Sequence, residues 1–288
     1  MFEPIEEDAR VAVHPFDLDT AVKDLGDGRF EAEMSERWWV ERGPNGGYVA
    51  AVILRAIQAA AALRRAPRSL TVQFPRAPVA GPVEITVRTE REGRTVTFLS
   101  ARMEQRGKLQ ATALAVLADD LDRTGFAELQ MPTVEPPAEL YSPDPERVPG
   151  MPTMFQNYSV RAALGEEAFS GGAPYSGLWI RAREPRLLDA PLAAAMLDAW
   201  FPAPFVRLDR SVPAPTIDYT VHFRAPLPES GASADDPYLA TFRSGLARGG
   251  FFEEDGELWS QDGSLLAQSR QLALLLTPPE AEAEAEKS

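Results

Sequence analysis

Two stretches of the sequence occur twice, in the same order, about 150 residues apart. TVQFPRAP at residues 71–78 is matched by TVHFRAP at 220–226, and GKLQATALAVL at 107–117 is matched by GSLLAQSRQLA at 263–273. A repeat of this length is typical of tandem domains, because the repeats of solenoid proteins are only about 20–45 residues long. The sequence therefore predicts two similarly folded halves.

Each half also contains one segment that is apolar nearly all the way round. In the first half, residues 45–63 (NGGYVAAVILRAIQAAAAL) begin with Asn45, a good helix cap, and carry a single charged residue, Arg55. In the second half, residues 190–200 (APLAAAMLDAW) are again small and largely apolar. Helices of this kind must be enclosed by other elements. A membrane span is disfavoured, because the charge is central and about 18 residues make a poor spanning segment.

Strand-like segments accompany both helices, and the short EGR and RGK connections between some of them are typical of hairpins. The predicted strands are residues 10–13, 28–34, 69–74, 82–90, 95–104 and 109–117 in the first half, and 155–162, 178–183, 216–223, 238–244, 250–260 and 265–276 in the second. The predicted fold is α+β, with two antiparallel sheets each wrapped around a long central helix.

The composition changes between the two halves. Residues 124–152 are rich in proline and acidic residues, which is typical of a linker that crosses a surface. We therefore expect an N-terminal half at 1–123, this linker, and a C-terminal half at 153–277. The acidic, low-complexity residues 278–288 are predicted to be a disordered tail.

Composition also limits the function. The net charge of -14 opposes binding to nucleic acids and anionic membranes. There is no cysteine, which excludes thiol nucleophiles and fits a reducing compartment. The two histidines, His14 and His222, lack metal-ligand spacing, and no Walker or dinucleotide motif is present, so we expect no metal and no cofactor. The N-terminus has no apolar signal sequence, and we expect a cytoplasmic protein.

Basic residues outnumber acidic ones between Arg55 and Lys108, against the overall charge of the chain. Two interpretations remain open for this segment. The arginines either lie on the solvated outer face of a sheet or form a docking patch for a phosphorylated small ligand.

The order of elements resembles the hotdog fold in its tandem, double-hotdog form, in which a sheet wraps a helix twice in one chain. Three segments resemble the acyl-CoA thioesterase II-like family in particular: GPNGGYVAAVILRA at 43–56, PTIDYTVHFRAPLP at 215–228 and DGSLLAQSRQLALL at 262–275. The likeness covers most of the chain apart from the linker and both ends.

The resemblance implies a catalytic site. In that family an Asp on the second-half helix, a Thr or Ser at the start of the following strand and a Gln on the last strand hold and activate the water that attacks the thioester. By position these residues are Asp198, Thr216 and Gln271. The resemblance also implies acyl-CoA as substrate and a homodimer.

The residues themselves leave alternatives open. Asp198 interrupts an apolar helix. It is either a general base whose pKa is raised by burial or a structural residue, which lies at the solvated edge of an amphipathic turn or pairs with Arg207. Gln271 either donates to a water or substrate or is an ordinary strand-edge residue, and Gln268 is its rival. In the repeat, Ala115 occupies the position that corresponds to Gln271. This difference suggests that the two halves have different functions.

Thr216 either orients the water or is an ordinary β-branched strand residue. Asp218 and Thr220 fall on the same strand face as Thr216 and are further candidates, whereas His222 is most simply a strand residue. No GxSxG motif is present, which disfavours a Ser-His-Asp hydrolase.

The N-terminus of the first helix is a candidate substrate-binding element. Backbone N–H groups at Gly46, Gly47 and Tyr48, aided by the helix dipole, would polarise a thioester carbonyl. The alternative is that the glycines simply allow the helix to pack closely against its neighbours.

Two functions follow. The first is an acyl-CoA thioesterase that hydrolyses its substrate to free acid and CoA with an Asp-activated water. The alternative is a non-catalytic protein of the same fold that binds an acyl thioester or another hydrophobic ligand. A hotdog hydratase is disfavoured, because those enzymes use an Asp and His pair and no His lies near the second helix.

Overall fold

The computed structural model describes residues 13–41, 43–62, 65–121, 125–137, 139–143 and 150–276. Two predicted segments fall outside them, namely the tail at 278–288 and the strand at 10–13 except for Val13. Within the described part, a helix-and-sheet unit is followed by a second one, as the repeated sequences predict.

The first unit consists of two helices, a 3-10 turn and six strands. These are α1 (Pro15–Asp19), α2 (Gly46–Ala60), the turn at Glu36–Trp38, β1 (Val22–Gly26), β2 (Arg29–Met34), β3 (Ala66–Gln73), β4 (Gly81–Glu92), β5 (Val96–Gln105) and β6 (Lys108–Ala118). The second unit has a 3-10 turn, two short helices and seven strands. These are the turn at Thr153–Asn157, β7 (Tyr158–Gly165), β8 (Tyr175–Ala182), α3 (Ala190–Met196), α4 (Pro204–Arg207), β9 (Thr216–Phe223), β10 (Tyr238–Arg243), β11 (Ala247–Arg248), β12 (Phe251–Trp259) and β13 (Leu265–Leu274).

The strands form one antiparallel sheet in the order β1-β2-β4-β5-β6-β3-β9-β13-β12-β10-β8-β7, with β11 beside β12. The two sheets that we expected are therefore joined, and the junction is the pair β3 and β9. Thr71 lies opposite Thr220 in this pair, and the two hydroxyls are 3.0 Å apart. The joining strands are the two copies of the repeated TVxF segment. Each covers the backbone edge that the other would leave unpaired.

Helix α2 is enclosed as its composition predicts, and its first two turns are buried apart from the terminal Gly46. Asn45 caps it by accepting a hydrogen bond from the N–H of Tyr48 (3.0 Å). The central Arg55 pairs with Asp17 (2.7 Å) and with an aspartate before α3. Of the helices in the described part of the chain, none is long and apolar enough to span a membrane.

Helix α3 is shorter than the predicted segment 190–200, and it packs against α2. It ends at Met196, so Asp198 lies in the turn that follows rather than on the helix. Continuing the helix would require residue 202 to donate to the carbonyl of Asp198, but Pro202 has no N–H. The side-chain amide of Asn45 donates to that carbonyl instead (2.7 Å).

The described part of the linker crosses the outer face of the second half. Its Met131, Val134 and Leu140 pack on a small cluster that contains Trp179. The Trp179 indole donates to the carbonyl of Glu135 (2.9 Å). The linker is thus attached to the sheet and shields apolar side chains that would otherwise face water.

Candidate active site

Asp198 lies where the two halves meet. Its Oδ2 accepts hydrogen bonds from the N–H of Gly47 (2.7 Å) and from Asn45 Nδ2 (2.9 Å), both of which belong to the first half. Its Oδ1 accepts a longer hydrogen bond from Gln271 Nε2 (3.4 Å). Oδ2 is therefore well satisfied, and Oδ1 is the oxygen with more capacity to accept another donor.

The surroundings of Asp198 favour its neutral form more than water does. Burial raises the pKa of Asp198 to about 6, although the N–H of Gly47 and the amides of Gln271 and Asn45 act in the opposite direction. The residue still keeps a partly exposed surface. At neutral pH the carboxylate is mostly ionised, and its pKa is close enough to neutrality for it to accept a proton readily.

Glycines allow α2 to approach Asp198 this closely. A Cβ atom on Gly47 would lie 2.8 Å from the Asp198 Cβ and 2.9 Å from the carbonyl oxygen of Ala194. A Cβ atom on Gly46 would lie 3.2 Å from Asp198 Oδ2. The N-terminus of α2 reaches the carboxylate because these two positions have no side chain.

Gln271 connects Asp198 to Thr216. The Thr216 hydroxyl donates to Gln271 Oε1 (2.8 Å), and Gln271 Nε2 faces Asp198 on its other side. Gln271 is buried in the middle of β13 between β9 and β12. The structure therefore brings the three predicted catalytic residues together in one hydrogen-bonded group.

Glu254 belongs to the same group, although the sequence reasoning did not identify it. Its Oε1 accepts from Gln271 Nε2 (2.8 Å), and its Oε2 accepts from the N–H of Ala203. Burial raises the pKa of Glu254 to about 7, and the nearby charge of Asp198 contributes to the increase. We refer to the connected group as the Asp198 cluster, which comprises Asn45, Gly47, Asp198, Thr216, Glu254 and Gln271.

A signal for Glu254 was present in the sequence. Along β12 the alternate residues Phe252, Gly256 and Leu258 are buried. Glu254 is in phase with them, so the alternation predicts that this glutamate is buried. Asn45 was identified as a helix cap, and its second role, donating to Asp198, depends on a contact between the halves that local patterns do not predict.

The three predicted substrate-binding residues differ in their surroundings. The N–H of Gly47 donates to Asp198, and Gly46 lies beside it at the start of α2. The N–H of Tyr48 is used in the Asn45 cap. The Tyr48 ring stacks on Trp38 with ring centroids 5.1 Å apart. Gly46 and Gly47 are therefore the two that border the carboxylate.

The rival candidates lie outside the Asp198 cluster. Gln268 accepts from Arg224 (2.9 Å), and Thr220 contacts its counterpart across the β3–β9 junction. His222 is exposed on the whole, and partial desolvation of its ring, together with the charge of Arg224, lowers its pKa. Arg207 donates to a backbone carbonyl (3.5 Å) rather than to Asp198. Asp218 lies on β9 between β3 and β13, partly buried.

The first half has no equivalent polar group at the matching strand positions. Gln271 lies opposite Glu254 in the β12–β13 pair. In the β5–β6 pair of the first half, Ala115 lies opposite Leu99 at the corresponding place. Both of these residues are apolar and buried. At these positions, polar residues are therefore found only in the second half.

The arginines of the basic segment are divided between ion pairs and the sheet surface. Arg65 and Arg68 pair with the two aspartates that follow β6. Arg88 and Arg102 line a groove of about 550 Å³ on the outer face of strands β3 to β6. Asp198 is not among the residues that line this groove. Both interpretations of the segment therefore stay predictions.

The two halves match two known domain families. Residues 35–118 match the acyl-CoA thioesterase N-terminal domain, and residues 129–275 match the acyl-CoA thioesterase C-terminal domain. No curated protein matches the sequence.

Solved structures share the fold over most of the chain. A conserved protein of unknown function with a hot dog fold from Alicyclobacillus acidocaldarius is 31% identical, with a TM-score of 0.84 over 92% of this chain and 99% of that one. A putative thioesterase II from Thermobifida fusca is 24% identical, with a TM-score of 0.77 over 93% and 99% of the two chains. An acyl-CoA thioesterase II from Mycobacterium marinum is 21% identical, with a TM-score of 0.73 over 91% and 98%. The chain therefore belongs to the acyl-CoA thioesterase II-like family, has its tandem hotdog fold and is a thioester hydrolase.

Proposed function

We propose that the enzyme hydrolyses an acyl-CoA thioester to a free acid and CoA with a water molecule that Asp198 activates. Thr216 and Gln271 hold this water in position. The observation that carries the proposal is the hydrogen-bonded path from Asp198 through Gln271 to Thr216. It connects a partly buried proton acceptor to a hydroxyl at the start of a strand, which is what a site for an attacking water requires.

The hydrogen bonds of Thr216 support one orientation of that water. Its single hydroxyl proton is donated to Gln271, so its oxygen lone pairs are left to accept. A water between Thr216 and Asp198 Oδ1 would donate one proton to each. Its own lone pair would then be free to attack the thioester carbonyl carbon.

The reaction balances without a cofactor or a covalent enzyme intermediate. The water oxygen bonds to the carbonyl carbon as Asp198 takes the water proton. The tetrahedral intermediate then collapses, the carbon–sulfur bond breaks, and the CoA thiolate leaves with the proton that Asp198 held. The products are the free acid and CoA, and the carboxylate is regenerated.

Gly46 and Gly47 are the proposed substrate-binding residues, with Tyr48 supporting them through the helix cap. A thioester carbonyl that approaches Asp198 also approaches the N-terminus of α2. The dipole of this 15-residue helix favours the negative charge that develops on the carbonyl oxygen.

The remaining parts of the binding mode are predictions. We expect the acyl chain to lie between helix and sheet or between the halves, and some of the arginines to contact the CoA phosphates. The homodimer and the cytoplasmic location also stay predictions.

The substitution Asp198→Asn tests the proposed mechanism. Loss of the proton acceptor is expected to lower kcat by about 10²- to 10⁴-fold, the range for removal of a general base. The measurement is the release of free thiol from a series of acyl-CoA esters of increasing chain length, with wild type and variant assayed on the same series.

Asp218→Asn is the matched control, since it neutralises the other candidate carboxylate of this region and should leave kcat close to that of the wild type. Full activity of Asp198→Asn would refute the mechanism. A wild-type protein that releases no thiol from any ester would refute the proposed substrate.

A further inference from the structure

Glu254 is a carboxylate on β12, a strand with a neighbour on each side, and it is only 4% exposed. Burying a carboxylate at such a position is unfavourable unless its oxygens accept hydrogen bonds. Both do so here, Oε1 from Gln271 Nε2 (2.8 Å) and Oε2 from the N–H of Ala203. The carboxylate is therefore fixed from two sides, and one of its two partners is a proposed catalytic residue.

A side-chain amide can point either way, because its oxygen and nitrogen have nearly the same size and shape. In one orientation Gln271 directs its NH2 group to the carboxylates and its oxygen to Thr216. In the other it would direct its oxygen to the carboxylates, where two acceptors would face each other. The hydrogen bond that Gln271 Nε2 donates to Glu254 (2.8 Å) is much shorter than the one it donates to Asp198 (3.4 Å), so Glu254 decides between the two orientations.

We propose that Glu254 is a positioning residue of the hydrolytic site, which fixes the direction of the Gln271 amide and thereby makes the Thr216 oxygen an acceptor for the attacking water. This inference rests on the proposed function above. Thr216 can donate its proton to Gln271 only if the amide oxygen faces it. If the amide turned over, the Thr216 hydroxyl would accept from Gln271 and donate to the water, which would direct a water lone pair to Thr216 instead of to the thioester.

The titratable groups around Glu254 are acids. Asp198 faces it from the turn after α3, the phenol of Tyr219 faces it from β9, and Glu253 precedes it on β12. Among the described residues, neither Glu254 nor Asp198 forms an ion pair. Burial and the charges of Asp198 and Glu253 raise the pKa of Glu254 to about 7, and that of Asp198 is about 6.

A pH profile separates a positioning role from a structural one. As the pH falls, Glu254 takes up a proton and becomes a weaker acceptor for Gln271, and Asp198 then takes up a proton and ceases to be a base. The wild-type kcat should therefore decrease on the acidic side with the uptake of two protons. In Glu254→Gln one of these ionisations is absent, and the decrease should follow a single proton.

Glu254→Gln keeps the size of the side chain and removes its charge. The new amide has one oxygen for the two donors, Gln271 and Ala203, so one of them loses its acceptor. We expect kcat at pH 8 to fall by about tenfold, which is the effect of one misdirected hydrogen bond in the transition state, with KM nearly unchanged. The matched control is Glu253→Gln, whose carboxylate accepts from Gly245 on the neighbouring loop (2.8 Å) and which should keep both the wild-type kcat and the two-proton decrease.

The experiment measures kcat and KM for thiol release by the three proteins between pH 5 and pH 9, with a thermal melt of each. Thiol release by the wild type establishes the proposed function separately from the role of Glu254. A Glu254→Gln variant that keeps the wild-type kcat and two-proton decrease would overturn the inference. A variant that is unfolded at the assay temperature would overturn it as well, since Glu254 would then serve the fold.

Discussion

Asp198 is held as a base at a cost to the stability of the folded protein. Burial raises the pKa of Asp198 from 3.8 to about 6, so the folded state binds this proton more strongly than the unfolded state does. The resulting stabilisation is complete below about pH 4 and is lost as the pH rises through about 6. Above that pH the carboxylate is ionised in a place that disfavours its charge. The proposed catalytic base therefore lowers the stability of the folded protein above about pH 6.

A stability measurement tests this relation. Asp198→Asn should make the protein more stable than the wild type at pH 8, by about 2 kcal/mol, since two pKa units correspond to at most about 2.7 kcal/mol and the asparagine loses one acceptor oxygen. The free energy of unfolding from urea titrations should show this difference. The two proteins should converge at pH 4.5, and a constant difference at every pH would contradict the prediction.

At the residue scale the sequence led to part of the site. The family resemblance identified Asp198, Thr216 and Gln271, and the structure places them in one hydrogen-bonded group. Their catalytic roles stay predictions. Glu254 lies outside the segments that carry the family resemblance, although it is in phase with the buried Phe252 on β12.

The elements themselves were largely predictable, and their ends were less so. The bounds predicted for β9 are those observed, and the apolar composition of α2 predicted correctly that this helix is enclosed. The predicted second helix at 190–200 was too long, since the helix ends at Met196 and Asp198 lies in the turn that follows. The short elements α1 and β1 were missed, since five-residue segments carry little periodic signal.

The close contact between α2 and α3 leads to a prediction for Gly47. In Gly47→Ala the new methyl group would overlap the backbone of Ala194 and Ala195, which cannot move aside as a flexible side chain can. We expect a loss of stability of about 2 kcal/mol, as for overpacked cores, together with a fall in kcat because Asp198 is displaced. The urea midpoint and the rate of thiol release measure the two effects.

Gly125→Ala is the control, because a Cβ atom at this position meets no atom within 4 Å and the backbone does not need glycine there. It should behave like the wild type in both assays. Unchanged stability of Gly47→Ala would show that the two helices can separate freely, against the contacts described here.

At the scale of the whole molecule, the site depends on both halves. The base, the threonine, the glutamine and Glu254 come from the second half, and Asn45 and Gly47 come from the first. Sequence patterns predicted two halves, but not that β3 and β9 would join them or that Asn45 would reach Asp198. Such contacts lie about 150 residues apart, and local patterns carry no information on them.

A pair of substitutions at Asn45 tests this dependence. Asn45→Ser keeps a capping oxygen for α2 and loses the amide that donates to Asp198, whereas Asn45→Ala loses both. We expect the two variants to share a reduced kcat and to differ in stability by about 1 kcal/mol in favour of Ser. Thiol release and thermal melts measure these effects. A serine variant with wild-type kcat would show that Asn45 contributes a cap and nothing to the chemistry.

The covalent connection between the halves affects how each half can change by mutation. In a symmetric pair of identical hotdog chains, one codon specifies both copies of each position, so a buried glutamate gained in one copy is gained in the other and its destabilisation is doubled. Here Leu99 and Glu254, like Ala115 and Gln271, are separate positions of one chain. Each can therefore mutate without its counterpart, and one half can remain an apolar support while the other accumulates the charged and polar groups that a reaction needs.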